Sequence, residues 1–184
     1  MKTHLLFLIF LAVGCQEPGP VVANPVVELP KAERPIPEPP AQKQDSRYKA
    51  ERIHQLKDLE TRKIVVGGRT ITVWIMDDAS KRAEGMMWLV DKDVKDTEGM
   101  LFLFSDSQPR SFWMQNCPLG LDITYIDSKG KVLNTGIGKP FDESGVPSKG
   151  SAQYVLELKV GRAKKFGIKP GSVLRLPKDV KSKD

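Results

Sequence analysis

Gly99 to Asp127 reads GMLFLFSDSQPRSFWMQNCPLGLDITYID, and this stretch decides the fold. Met100 to Phe104 is a continuous apolar run of the length and bulk expected of a strand buried on both faces. Ser105 to Pro109 has the composition of a turn, and Ser111 to Met114 is a second short bulky run. Leu121 to Ile126 alternates as a strand. Asn116 and Asp122 are polar residues set against this apolar material, and Cys117 is the only cysteine outside the amino-terminal segment.

Similar signals flank the stretch. Lys63 to Asp77 reads as a hairpin, with KIVV and RTITVWIM on either side of Gly67-Gly68, a pair suited to positive φ. Ala79 to Trp88 reads as a short helix opened by Asp77 or Asp78, with Gly85 marking its end or a close backbone contact. Lys131 to Leu133 follows a turn at 127–130. Residues 134–152 read as a Gly- and Pro-rich loop, and Tyr154 to Leu158 as another strand. A short basic helix is expected from Gly161 to Phe166, and a last strand from Ser172 to Leu176. Asp45 or Ser46 could cap a helix running to Glu60, with Ile53, Leu56 and Leu59 as its apolar stripe. Many short strands with few and short helices predict a mainly β domain: a β-sandwich or distorted barrel, jelly-roll-like, with one to three short helices.

The amino end is organised differently. MKTHLLFLIFLAVGC has one early lysine, then an apolar run from Leu5 to Val13, too short to span a bilayer and suited to a signal peptide. Ala12-Val13-Gly14-Cys15 resembles a bacterial lipobox, with Ala12 where Leu is usual. That resemblance implies acylation of Cys15 as the first mature residue. By the sorting rule of that class, Gln16 favours the outer membrane in a Gram-negative cell. Pro18 to Pro40 contains eight of the fourteen prolines, which excludes a helix or a central strand there. Residues 16–46 would reach on the order of 90 Å fully extended at about 3.1 Å per residue. The expected organisation is therefore a signal peptide at 1–14, a tether at 15–46, a helix within 47–61, a β domain at 62–177 and a basic tail at 178–184.

Composition limits the chemistry. Of 184 residues, the only two histidines are His4 and His54. Both lie outside 62–177, which argues against Ser-His-Asp, Cys-His and His-ligated zinc sites. GIGKPF, within 136–141, lacks the context of a phosphate loop. No metal or cofactor is expected. A net charge of +6 and a pI near 9.3 favour anionic partners. Export and the absence of a recognition motif argue against nucleic acid. Cys117 reads as a small buried thiol. Asp122, Glu98, Asp127 and Glu157 are the carboxylates that could pair for acid–base work. Asp122, inside a strand, must find hydrogen bonds or a cation, and Arg82 is the expected one. Asn116 is expected to fix the loop after Trp113-Met114. Trp113 is either core or the rim of a pocket for a sugar or peptide.

Several ordered pieces resemble one known family: Arg82 with Gly85-Met86-Met87, then GMLFLF at 99–104, FWMQN at 112–116, Leu121-Asp122-Ile123, Val155-Leu156-Glu157, and Gly167-Ile168 before Gly171. Over Ile64 to Leu176 the chain resembles the DUF192 proteins, a bacterial and archaeal group with no agreed activity. The resemblance implies a compact, mainly β domain, often exported. Leu89, Gln115, Cys117 and Gly120 depart from the residues common there, removing two cations near the shared motifs.

The resulting expectation is a lipid-anchored envelope protein whose non-catalytic β domain binds a ligand or partner, such as an envelope polymer or another envelope protein. Arg82, Trp113, Asn116, Asp122 and Glu157 form its expected polar site. The alternative is a carboxylate-dependent hydrolase or lyase acting on an envelope polymer. Cys15→Ser should release the protein from membranes on cell fractionation, and unchanged membrane association would refute the anchor.

Overall fold

The computed structural model describes residues 47–184. The expected signal segment, Cys15 and tether lie outside the described residues. Among the described residues there are six strands and two short α-helices: β1 (Thr61–Val66), β2 (Arg69–Met76), α1 (Ala79–Glu84), β3 (Glu98–Phe112), β4 (Leu121–Ile126), β5 (Val132–Gly138), β6 (Val146–Lys159) and α2 (Arg162–Lys165). The protein is mainly β, as its strand pattern indicates, and all six strands hydrogen-bond into one sheet of order β1-β2-β3-β6-β4-β5. The β2–β3 pair is parallel and the others are antiparallel.

Gly99 to Leu103 lies in the middle of this sheet, with β2 on one side and β6 on the other. Its side chains alternate between two cores. Met100 and Phe102 join Trp74, Met76, Ile123, Tyr125 and Val155 on one face. Leu101 and Leu103 join Ile71, Val73, Ile75, Leu156 and Leu158 on the other. Each face is covered by non-sheet residues: Met86, Leu89, Met114 and Cys117 over the first, and Ala163, Phe166, Ile168 and Leu174 over the second. This double cover explains the unbroken apolar run, since neither face of the strand meets water.

The hairpin forms as expected. Val66 pairs with Arg69, so Gly67 and Gly68 make a two-residue turn, with φ of 54° and 74°. Asp78 caps α1 by accepting a hydrogen bond from the Lys81 N–H, and Gly85 closes the helix with a positive φ of 46°, which a glycine adopts at little cost.

Elsewhere the tertiary structure overrides the local signals. Ser105 to Pro109 is not a turn: β3 runs through it to Phe112, with shifts of register against β6 between Leu103 and Gln108 and between Pro109 and Ser111. Bulges let the strand absorb residues of turn character while its edges stay paired. The expected loop at 134–152 is mostly strand. Only 139–145 connects β5 to β6, because both strands extend beyond their apolar cores. Ser172 to Leu176 makes one isolated bridge, Lys131 to Val173, instead of a strand.

The helix expected before Glu60 is reduced to a single 3-10 turn at Leu56–Asp58. The reason lies in Arg52, which turns inward, and in the Ile53 and His54 N–H groups, which bond the Glu84 side chain at 2.7 and 2.9 Å. Ile53, expected in the apolar stripe, is 80% exposed. The basic end at 178–184 is held down: the Lys183 N–H donates to the Asp77 carbonyl at 2.8 Å, and Lys183 Nζ lies 2.7 Å from Asp77 Oδ2. Among the described residues no helix is long and apolar enough to cross a membrane.

Gly99 shows how closely the central strands approach. A methyl group on its Cα would be driven into the Glu157 carbonyl oxygen and the Leu158 side chain. Gly99→Ala should therefore cost about 1–3 kcal/mol through overpacking, read as a lower urea midpoint with an unchanged slope. Wild-type stability in that variant would show that β3 and β6 can separate freely here.

Candidate functional site

The register between β4 and β6 sets where the carboxylates go. Glu157 stands opposite Ile123, and Asp122 opposite Leu158. Opposed residues share a face and neighbours along a strand alternate, so Glu157 and Asp122 project from opposite faces of the sheet.

Asp122 belongs to the second face. Its Oδ2 accepts a hydrogen bond from the Ala163 N–H at 2.8 Å. That amide lies in the first turn of α2, where helix N–H groups lack partners of their own. Asp122 therefore satisfies a helix end, and the expected Asp122–Arg82 pair does not form. Arg82 instead donates to the Leu103 carbonyl at 2.9 Å and to Ser182 Oγ at 3.2 Å, and pairs with Asp184 at 2.5 Å. Its guanidinium also lies 4.8 Å from the centre of the Phe104 ring. The register separates the two residues that sequence reasoning had joined.

Glu157 belongs to the first face, at 4% exposure. Its Oε2 has no hydrogen-bond partner. Burial alone raises its carboxyl from the ordinary 4.5 to about 8, because a charged carboxylate without partners is costly in a low-dielectric interior. Below that pH it is a neutral acid, with an O–H to donate.

Glu157 faces a cavity of about 40 Å³ whose lining includes Arg82, Glu84, Gly85, Met86, Met87, Phe102, Trp113, Gln115 and Cys117. Gly85 keeps it open. A Cβ there would stand 3.3 Å from the Phe102 ring and 3.8 Å from Glu157 Oε2. Cys117 donates to the Leu119 carbonyl at 3.6 Å. Its thiol is pushed up to about 12, first by burial and then by the neighbouring Glu157. It is accordingly no nucleophile at neutral pH, in agreement with its reading as a small buried thiol.

The cavity roof is fixed from behind by Arg52, which the sequence did not single out. Its Nη1 donates to the Gly85 and Met87 carbonyls at 2.9 and 2.6 Å, and its Nε to the His54 carbonyl at 3.0 Å. Glu84 Oε2 lies 3.3 Å from Nη2. Burial lowers the affinity of this guanidinium for its proton, and Glu84 offsets part of that loss. The loop opposite is set by Asn116, whose backbone has φ 53° and whose carbonyl accepts from the Trp88 N–H at 2.8 Å. Asn116 thus shapes the loop, and is not among the residues lining the cavity.

Trp113 stands at the rim, 51% exposed, so it is not core. Outside it lies a groove of about 300 Å³ lined by Arg82, Phe104, Pro109, Arg110, Phe112 and Trp113. Arg82, Ala83, Phe112 and Trp113 line both spaces, so groove and cavity adjoin. Arg110 covers the Phe104 ring at 3.4 Å from its centre, and donates to the Ala152 carbonyl at 2.8 Å and to Asp106.

Of the five residues expected to share a site, then, Glu157, Trp113 and Arg82 are brought together, Asn116 supports the loop, and Asp122 is elsewhere. Gly85 and Cys117 complete the cavity. Glycine within a helical pattern was the one local sign of the first, and nothing in sequence marked the second as cavity-lining. Among the described residues no group of three His, Cys, Asp or Glu side chains is placed to hold a metal ion.

A mixed β domain with a buried acid under a glycine-capped helix is the class that fold and site define. The DUF192 family model, described as "Uncharacterized ACR", matches residues 62–176, and the chain belongs to that family. The fold is similar to two crystal structures. One, from Sinorhizobium meliloti 1021, is of a protein provisionally named a transcription regulator. It is 33% identical, with a TM-score of 0.56, over 61% of this chain and 89% of that one. The other is a protein of unknown function from Novosphingobium aromaticivorans DSM 12444. It is 28% identical, with a TM-score of 0.61, over 71% of this chain and 95% of that one. No curated protein matches the chain significantly. Both solved relatives consist almost wholly of the shared domain, and among the described residues the buried members of both apolar cores lie within 56–174.

The acid leaves a signature on stability. Unfolded, Glu157 loses its proton near 4.5, and folded, near 8. Between those values the folded state binds more protons, so stability falls as pH rises, by up to about 1.4 kcal/mol per unit from this one group. It is fully present below the lower value and flat above the upper one. Denaturation midpoints of wild type and Glu157→Gln should differ by that slope across the window. Parallel profiles would show that Glu157 is ionised in the folded protein.

Proposed function

We propose that this is an exported, lipid-anchored envelope protein whose β domain binds an uncharged part of an envelope glycan or peptide without chemically converting it. The lipobox-like Ala12-Val13-Gly14-Cys15 and the proline-rich segment after it support the anchor, with Gln16 favouring the outer membrane in a Gram-negative cell. One observation carries the binding reading: Glu157 Oε2 is buried and unpartnered against a cavity that adjoins the Trp113 groove. A neutral carboxyl there donates to a carbonyl, ether or hydroxyl oxygen of the ligand. Trp113 offers an exposed ring face on which a sugar or a peptide plane can lie. The cavity admits an atom or two of the ligand, such as the end of an amide group, while the rest occupies the groove.

The alternative hydrolase or lyase needs two carboxylates flanking one bond, some 5–9.5 Å apart across a cleft. Asp122 and Glu157 on opposite faces, with Asp122 capping α2, argue against it. The provisional name of the Sinorhizobium relative would make nucleic acid the partner, and the expected export signal is the reason we do not extend it to this chain.

Immobilised domain, residues 41–184, should retain solubilised peptidoglycan fragments. Trp113→Ala should weaken retention about ten-fold, the loss of roughly 1.4 kcal/mol of stacking and contact. Retention by wild type should fall above about pH 8, while Glu157→Gln holds steady. A domain that retains neither peptidoglycan nor envelope polysaccharide refutes this function.

A further inference from the structure

A second surface of different chemistry lies along the carboxyl-terminal segment, whose last residues reach Arg82 through Ser182 and Asp184. The segment after α2 is clamped to the turn between β4 and β5. The Val132 N–H donates to the Ser172 carbonyl at 2.8 Å, and the Leu174 N–H to the Gly130 carbonyl at 2.9 Å. Leu174 is buried in the second core. Val173, one residue earlier, points the other way and is 68% exposed. Around it opens a groove of about 560 Å³ whose lining includes Lys129, Tyr154, Val173, Arg175, Lys178 and Lys181.

The charges here are unbalanced. Several other described cations are matched: Lys81 to Asp77, Arg82 to Asp184, and Lys159 and Arg162 to Asp96. Lys129, Arg175, Lys178 and Lys181 have no ion-pair partner among the described residues, and each side chain is exposed. The two acids nearest in sequence are occupied. Asp127 accepts the Lys129 and Lys131 N–H groups, both at 2.8 Å. Asp179 is held by Arg62 at 2.9 Å. Four free cations therefore converge around one exposed aliphatic side chain.

We propose that this face rests on an anionic phospholipid bilayer. The lysines and the arginine meet the headgroup phosphates, and Val173 enters the interface between them. Cationic side chains within a Debye length of a negative leaflet are drawn to it, and an apolar tip adds burial that a soluble polyanion cannot offer. That second feature is why a bilayer is favoured over a dissolved polymer. An acylated Cys15, proposed above, would keep such a surface within reach, but this contact stands on the domain's own residues and is testable without the anchor.

The test uses purified residues 41–184, which lack Cys15, and sedimentation with vesicles of phosphatidylcholine alone or mixed with phosphatidylglycerol. Binding should be about ten-fold stronger or more to the mixed vesicles and should fall with added salt. Arg175→Glu, Lys178→Glu and Lys181→Glu together should abolish it, and Val173→Ser should weaken it several-fold. A charge-matched control, Lys57→Glu with Lys63→Glu and Lys92→Glu, should bind as wild type, with thermal melts confirming that every variant folds. Equal binding to neutral vesicles, binding unaffected by the triple reversal, or equal loss in the control would overturn the proposal. So would binding to soluble polyphosphate as tight as to the vesicles, which would make the partner a dissolved polyanion. Failure here leaves Cys15→Ser as the separate measure of the lipid anchor.

Discussion

The pairing of β3 with β6 is the constraint on which the rest of the molecule depends. Gly99 lets the two backbones meet at Glu157 and Leu158, and β2 and β4 then pair on their outer sides. The strands at the centre are covered above and below. Any polar side chain placed on them loses water on whichever face it takes, so each must find a partner or accept the neutral form. Asp122 and Glu157 answer that demand differently. Asp122 meets a free amide of α2 and is a structural fixture. Glu157 faces a small cavity, where its Oε2 finds no hydrogen-bond partner, and is held as an acid.

That difference separates the two faces of the sheet by chemistry. On the first face a glycine cap, an inward arginine and an Asn116 of positive φ hold three loop segments around Glu157, joined in series through the Gly85, Met87 and Asn116 carbonyls. Such a shell is rigid because its hydrogen bonds are internal, leaving Trp113 exposed at the rim. The second face contributes little polar chemistry within, and its character lies outside, in the cations of the 172–181 segment.

Much of the β class was legible from residues 63–77, 99–104 and 121–126, because apolar runs bounded by turn residues have few other solutions. The Gly67-Gly68 turn and the Asp78 cap were legible for the same local reasons. What misled was also local. Ser105 to Pro109 reads as a turn, but a bulged strand pairs there because β6 offers it partners. Residues 47–61 carry a helical stripe, but Glu84 takes the Ile53 and His54 amides that a helix would need. Arg82 and Asp122 looked like a pair because buried charges want partners, and composition says nothing of which face a residue takes.

The sequence by itself determined that the domain is mainly β, that it contains no histidine for the usual catalytic arrangements, that Cys117 is its lone cysteine, and that it belongs among proteins sharing GMLF, FWM and LD-I in that order. Those are properties of residue type and short-range pattern. Only the tertiary structure decided which carboxylate is left without a partner. A shift of one position along β4 or β6 would exchange the faces of Asp122 and Glu157, so the site is a consequence of strand register, which long-range pairing sets and local sequence does not.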